Sequence, residues 1–458
     1  MKLNVSKNAN INYLAKIVEI KDFTAHINPE VTRLKVAHVD GYNILVGIDE
    51  QPGKFVYFPT SSCLNPQFLA FANLYRHAEK NNDNEKTGLF EDNGRVKAVK
   101  LKGQVSEGFL LPLTTLVNFI VDSTNVSFTE DDCPVGTEFD EVEHNGKSFW
   151  INKKYVVERQ GYNYQKRYNK SQKKLSRLHL IRDDQFRYHY ETVLIRKEPT
   201  FISPDDTISI TSKWDGTSHI SAYVLCHKQL NFFEKIQEKL FKRNFDFYDH
   251  ILSSRRVIKN LYYNPEQGAS FYNDEFRYKV DEYLQPYMCK GMTIYAEIVG
   301  FDTTGGYIQK NYDYGCVQPE KGEEYTIGKH CKVMIYRITL TNVDGVVHEF
   351  SAKEVQVWCK ERGLNPVIEY YYGLAKDLYP ELDTATHWNQ NFIECLANDK
   401  RFYMEMDSPD CNNKVPHEGI VIKKESMRSE AVKLKCFNYL NKEQSQLDKG
   451  EVNIEDIA

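Results

Sequence analysis

The sequence predicts an α+β protein in two parts, an amino-terminal small β-barrel followed by a larger domain of strands and helices. Three observations predict it. Short runs of alternating apolar and polar residues, punctuated by turn residues, fill the first ~120 positions. Apolar runs that each carry one or two charged residues recur in the second half of the chain. Between the two regions the charge changes sign abruptly. At 458 residues the chain is long enough for more than one buried core.

The amino-terminal runs are taken in order. Tyr13 to Ile27 alternates, as do Thr32 to Val39 and Tyr42 to Ile48, with Asp40-Gly41 placed as a hairpin turn between the last two. Lys54 to Phe58 is a further strand, closed by Pro59. A short helix is expected near Pro66 to Ala78, then a polar loop from Glu79 to Lys86. Arg95 to Leu101 and Phe109 to Leu113 read as strands. Short strands with one helix suit an OB-like (oligonucleotide/oligosaccharide-binding) barrel over residues 1–121, and an unrelated small barrel fits nearly as well.

Residues 122–174 read as a polar connection or insertion. Asp131, Asp132, Glu138, Asp140 and Glu141 form an acidic patch. From Lys153 to Arg177 the sign reverses, with Tyr155, Tyr162, Tyr164 and Tyr168 interleaved among the cations. Cations that neutralise phosphates beside rings that stack on bases suit nucleic acid, through Lys166, Arg167 and Lys170. A solvated linker explains the same composition.

The larger domain is expected over residues 175–442, with helices at Phe232 to Phe247 and Ala352 to Gly363, and a polar tail over 443–458. Its strands carry the chemistry. Thr207 to Thr211 leads into Ser212-Lys213-Trp214-Asp215-Gly216-Thr217-Ser218. Ser254-Arg255-Arg256 follows. Ile294 to Gly300 is apolar around Glu297, and Val333 to Ile338 is apolar around Tyr336. His417-Glu418-Gly419 opens another apolar run, and Ala431 to Cys436 alternates Lys433 and Lys435 with apolar residues. Side chains alternate along a strand, so Lys433 and Lys435 share a face. Two cations side by side on an interior face are costly without an anion between them, and a phosphate meets that need.

Taken in order, these segments resemble motifs I, Ia, III, IIIa, IV and V of the ligase and capping-enzyme superfamily of covalent nucleotidyltransferases. The resemblance implies a ligase-type domain built on antiparallel sheets. It makes Lys213 the nucleophile that attacks the α-phosphate of ATP, with Lys433 and Lys435 as catalytic partners. Burial and nearby cations are expected to lower the pKa of such an amine. Asp215, Gly216, Thr217, Arg255, Glu297, Tyr336 and Glu418 are then nucleotide-binding, Gly216 because it keeps the backbone slim where the nucleotide passes. Glu297 and Glu418 would serve Mg2+ or Mn2+ through water. Tyr336 would stack on the base. Arg255 or its neighbour Arg256 would meet a phosphate, Arg256 that of a nucleic acid.

Within that superfamily the chain resembles RNA ligases of the nick-sealing group with an amino-terminal OB-like module. A whole domain precedes Lys213, and Leu101 to Leu113 looks like that group's amino-terminal signature. The resemblance implies an RNA-repair ligase that passes AMP to a 5′-phosphate and closes a phosphodiester at a nick with an RNA 3′-OH end. A ligase of single-stranded RNA or DNA, and a non-catalytic nucleic-acid-binding protein, are the competing readings. A guanylyltransferase fits less well, because capping enzymes carry their OB domain after motif V.

Composition narrows the class further. Hydrophobic content of 41% and charged content of 27% are ordinary for a globular protein. No apolar run approaches the ~20 residues that span a bilayer, so no membrane partner is expected. Ten cysteines without a Cys-x-x-Cys pair indicate neither a zinc ribbon nor a disulfide scaffold. The expectation is a soluble, monomeric protein of a reducing, cytoplasmic compartment.

Overall fold

The computed structural model describes residues 1–157, 181–227, 230–259, 275–384, 386–426, 428 and 430–450. Lys166, Arg167 and Lys170 lie outside the described residues. The chain divides into two compact units, one of residues 1–157, 193–201 and 440–450, the other chiefly of residues 202–439 with 181–192.

In the first unit an antiparallel sheet runs in the order Phe109–Pro112, Gly53–Phe58, Ala15–Ile20, Glu138–Phe139. A separate sheet holds Thr24–Ala25, Leu34–Val39 and Tyr42–Gly47, with Asp40 at φ 50° in its two-residue turn. The expected closed barrel is absent here, because these strands form several open sheets. The reason is visible in Ala15 to Ile20, which is apolar on both faces. Ile17, Val56, Phe58 and Leu111 pack with the helix Leu113–Thr124, while Val18, Ile20, Phe55 and Tyr57 pack with the hairpin. A sheet covered on both sides is the middle of a sandwich, and it need not curl to bury its apolar face.

The helix Leu113–Thr124 was not expected, and it begins where the strand expected over Phe109 to Leu113 ends. Leu113, Leu116, Val117 and Ile120 are buried at helical spacing, and Pro112 supplies the start. The helix expected near Pro66 to Ala78 spans Pro66–Phe71, capped by the Asn65 side chain. The acidic segment contributes Glu138–Phe139 and Glu141–His144 to sheets, and the helix Phe437–Asp448 reaches into the expected tail.

The second unit is built on two antiparallel sheets. One runs Glu430–Lys435, Gly419–Lys424, Thr207–Ser212, Glu369–Leu374. The other runs Asp246–Ser253, Thr217–His227, Met292–Gly300, Cys331–Thr341, Val347–Glu349. Every residue of Met292–Gly300 is buried, since this central strand is paired on both edges and covered on both faces. Its outer face packs Ile294, Ala296 and Ile298 with Phe276 and Val280 of the helix Glu275–Leu284 and Val355 and Trp358 of the helix Ala352–Glu361. The helix expected from Phe232 ends at Phe241, where Lys242 adopts the left-handed conformation, and the strand Asp246–Ser253 follows. No helix among the described residues is long and apolar enough to cross a membrane.

Phe68 is fully buried, with its ring centroid 5.0 Å from that of Phe119. Phe68→Ala is expected to lower the unfolding free energy of the first unit by about 3–5 kcal/mol, read as a lower denaturant midpoint at unchanged slope.

Candidate active site

The segment Trp214-Asp215-Gly216 is the crossover between the two sheets of the second unit, and Lys213 stands at its start. The Lys213 backbone N–H donates to the Gly419 carbonyl, 2.9 Å away, continuing the ladder that pairs Ser212 with Ile420. That register sets the lysine beside Glu418. Its Nζ lies 2.6 Å from Glu418 Oε1, and Lys435 Nζ lies 3.8 Å from the same oxygen.

A cavity opens from this point. Its lining includes Lys213, Ser218, Arg255, Glu297, Tyr336 and Lys433. Strand alternation explains the membership. Ser209, Thr211 and Lys213 project from one strand, Val421 and Lys423 from the next, and Ala431 and Lys433 from the third. Opposite them, Glu297 and Ser218 are direct cross-strand partners. Tyr336 contributes a buried phenol whose pKa burial pushes well above the ordinary value. Arg255 lines the cavity whereas Arg256 is exposed.

Lys433 and Lys435 have different carboxylate partners. Lys433 pairs with Glu191 Oε1 at 3.4 Å, while Lys435 pairs with Glu418 and lies 5.0 Å over the Tyr439 ring. Glu191 also takes an ion pair from Arg255 through its second oxygen, so one carboxylate bridges Arg255 and Lys433. No motif marks Glu191, and only the fold brings it there. Asp215 is buried away from the cavity, accepting from Gln309 Nε2 at 3.0 Å, and its backbone N–H donates to the Tyr314 hydroxyl at 2.7 Å. Thr217 is turned to Arg277, which donates to its hydroxyl and, at 2.6 Å, to the Ser218 carbonyl. Its neighbour Ser218 lines the cavity instead. Gly216 is required by close packing: a Cβ there would lie 2.4 Å from the Ile298 carbonyl oxygen and 2.6 Å from Val299 Cγ1.

The loop that follows Gly300 supports the crossover. Tyr314 packs its ring on Trp214 at a centroid distance of 4.7 Å, and the Tyr312 hydroxyl donates to the Pro416 carbonyl at 2.7 Å. Deeper in the cavity, Arg337 makes a buried bidentate pair with Glu349 at 2.8 and 2.9 Å. Lys423 donates to the Phe350 carbonyl at 2.9 Å, and burial lowers its pKa. Next to Glu418, His417 is buried within hydrogen-bonding distance of the Ser212 hydroxyl at 3.1 Å; burial first, and Lys213 in lesser part, push its pKa down to about 4.

No protein-family model matches the chain, and no curated protein matches its sequence. The chain shares its fold with a solved RNA ligase. It is similar to the Naegleria gruberi RNA ligase in a lysine-to-alanine mutant with ATP and Mn, at 14% identity and a TM-score of 0.50, covering 95% of this chain and 99% of that one. The same ligase with pyrophosphate gives 16% identity and a TM-score of 0.50, covering 95% and 100%.

Two outcomes follow from the geometry. Gly216→Ala is expected to destabilise the protein by about 1–3 kcal/mol, because backbone and strand must move apart, read as a drop in thermal midpoint. His417 has a folded pKa below its usual 6.5, so the unfolded state binds more protons between pH 6.5 and about 4. Its contribution is present above pH 6.5 and is lost as pH falls through that window. His417→Gln should flatten the acid side of the stability profile by up to about 1.4 kcal/mol per pH unit, measured by denaturant titration at stepped pH.

Proposed function

We propose that this chain is an ATP-dependent RNA ligase that charges itself with AMP on Lys213. The observation that carries the reading is the convergence of Lys213, Glu418, Arg255, Lys433 and Glu297 about one cavity, in a fold shared with RNA ligases.

The chemistry follows from these residues. Lys213 must first leave its ion pair with Glu418, because an amine attacks only without its proton. It then attacks the α-phosphorus, the N–P bond forming as the P–O bond to pyrophosphate breaks, and the amine proton passes to solvent. Arg255 and Lys433, held ready by Glu191, meet the charge on the phosphate oxygens as that carboxylate gives way. Tyr336 and Val421, on opposite sheets, offer surfaces for a base.

A divalent cation fits this site in one manner. Among the described residues no group of three or more His, Cys, Asp or Glu side chains forms a metal cage. Glu418 Oε2, however, is buried without a hydrogen-bond partner. Glu297 and Glu418 therefore suit a magnesium or manganese ion that keeps most of its waters and is reached through them. When bound, the ion offsets charge on the phosphates.

The later steps rest on the resemblance. AMP passes from Lys213 to a 5′-phosphate, and a 3′-hydroxyl displaces it to close a phosphodiester. Nicks in a duplex with an RNA 3′-OH end are the proposed substrate, consistent with the signature Leu101 to Leu113. Arg256, exposed beside the cavity residue Arg255, is proposed to contact the nucleic acid.

Incubation with α-labelled ATP or GTP and a divalent cation, followed by a denaturing gel, tests the reading. Label from ATP is expected on the wild type and absent from Lys213→Ala. Lys433→Ala should retain the fold and slow labelling by about a hundredfold or more. Folded protein free of prebound AMP that takes no label from any nucleotide would leave a non-catalytic binding protein. Charged protein should then seal a nicked duplex with an RNA 3′-OH more efficiently than single strands.

A further inference from the structure

The helix Phe232–Phe241 stands apart from this chemistry, and it exposes an unusual amount of apolar surface. Phe232, Phe233, Leu240 and Phe241 are each 70–76% exposed, Ile236 is 38% exposed, and no residue of the helix is buried. The element does not depend on a covering partner to form, since Asn231 and Glu234 complete a capping box at its start. A single exposed apolar residue needs no explanation, but five on ten residues do.

The distribution of charge says what would cover them. At ~100° per residue, Phe232, Ile236, Leu240 and Phe233 fall within one arc of about 100°. Lys239 and Lys235 lie along one border of that arc, and Lys242 and Arg243 follow at the carboxyl end. The two carboxylates, Glu234 and Glu238, fall on the opposite side, where Glu238 Oε1 lies 3.8 Å from His227 Nε2. Cations thus border the apolar arc while acids face away from it. A nucleic acid would match the lysines and stack bases on the rings, but it would leave the aliphatic Ile236 and Leu240 uncovered. A copy of the same arc would bury far less than the ~1,200 Å² of a stable interface. An anionic bilayer matches both parts: acyl chains receive the rings, and headgroup phosphates and carboxylates meet the long cationic side chains.

We propose that Phe232–Phe241 docks the protein on anionic lipid surfaces, lying in the headgroup plane without crossing it. This departs from the sequence-based expectation of no membrane partner, which rested on the lack of a spanning segment. It implies that the protein works next to a membrane, with the helix as a reversible anchor.

Co-sedimentation of the full chain with vesicles tests it. The wild type is expected to pellet with phosphatidylcholine vesicles containing phosphatidylserine and to stay in solution with phosphatidylcholine alone. Lys235→Gln/Lys239→Gln should weaken binding roughly thirtyfold, and Phe233→Ser/Leu240→Ser by more than about tenfold. All four positions are on the exposed helix, so unchanged thermal midpoints should accompany the loss. Failure of the wild type to pellet with phosphatidylserine vesicles overturns the proposal. So does undiminished binding by Phe233→Ser/Leu240→Ser. A lipid-free dimer in sedimentation velocity that the same substitutions abolish would overturn it as well, in favour of self-association.

Discussion

One backbone contact governs the second unit, the hydrogen bond from Lys213 N–H to the Gly419 carbonyl. It ends the ladder between Thr207–Ser212 and Gly419–Lys424 at the point where the chain leaves one sheet for the other. A shift of one residue in this register would turn every cavity-facing side chain into the opposite layer. Ser209, Thr211 and Lys213 would leave the cavity together. The position of the lysine is therefore a property of the whole ladder, reinforced by the tight approach of Gly216 to Ile298 and by Tyr314 beneath Trp214.

The second constraint is electrostatic. Lys213, Arg255 and Lys433 line the cavity and Lys435 shares Glu418 with Lys213, their side chains 14–18% exposed. Such a cluster is tolerable only with counter-charge, because desolvated cations repel and each has lost its water. Glu418 and Glu191 supply part of it, and Glu297 lines the same cavity. Deeper in the cavity, by contrast, Arg337 and Glu349 form a bidentate pair between two adjacent strands.

Much of the strand content was legible because period-two alternation and turn residues act locally. The Asp40-Gly41 turn and the motif strands fall where the patterning puts them. The helix Leu113–Thr124 was less legible, since its apolar spacing sits inside a run that also satisfies a strand. The barrel expectation failed for a related reason. Patterning reports that both faces of Ala15–Ile20 are apolar, but whether another strand or a separate hairpin and helix covers them depends on distant segments. At the site, charged residues inside apolar strands stood out against a simple background. Glu191 and Arg277 did not, being ordinary charged residues in a loop and on a helix.

The sequence alone determined which side chains carry charge within apolar strands, their order along the chain and the chemistry open to them. Those are properties of residue type and local spacing. Tertiary structure decided the partners. It set Glu418, 205 positions after Lys213, against that lysine, and Glu191 between Arg255 and Lys433. It also turned Thr217 and Asp215 away from the cavity and kept Ser218 in it. Local patterning cannot supply such choices, because they follow from how two sheets stack and which edges pair, and those depend on contacts between residues far apart in the chain.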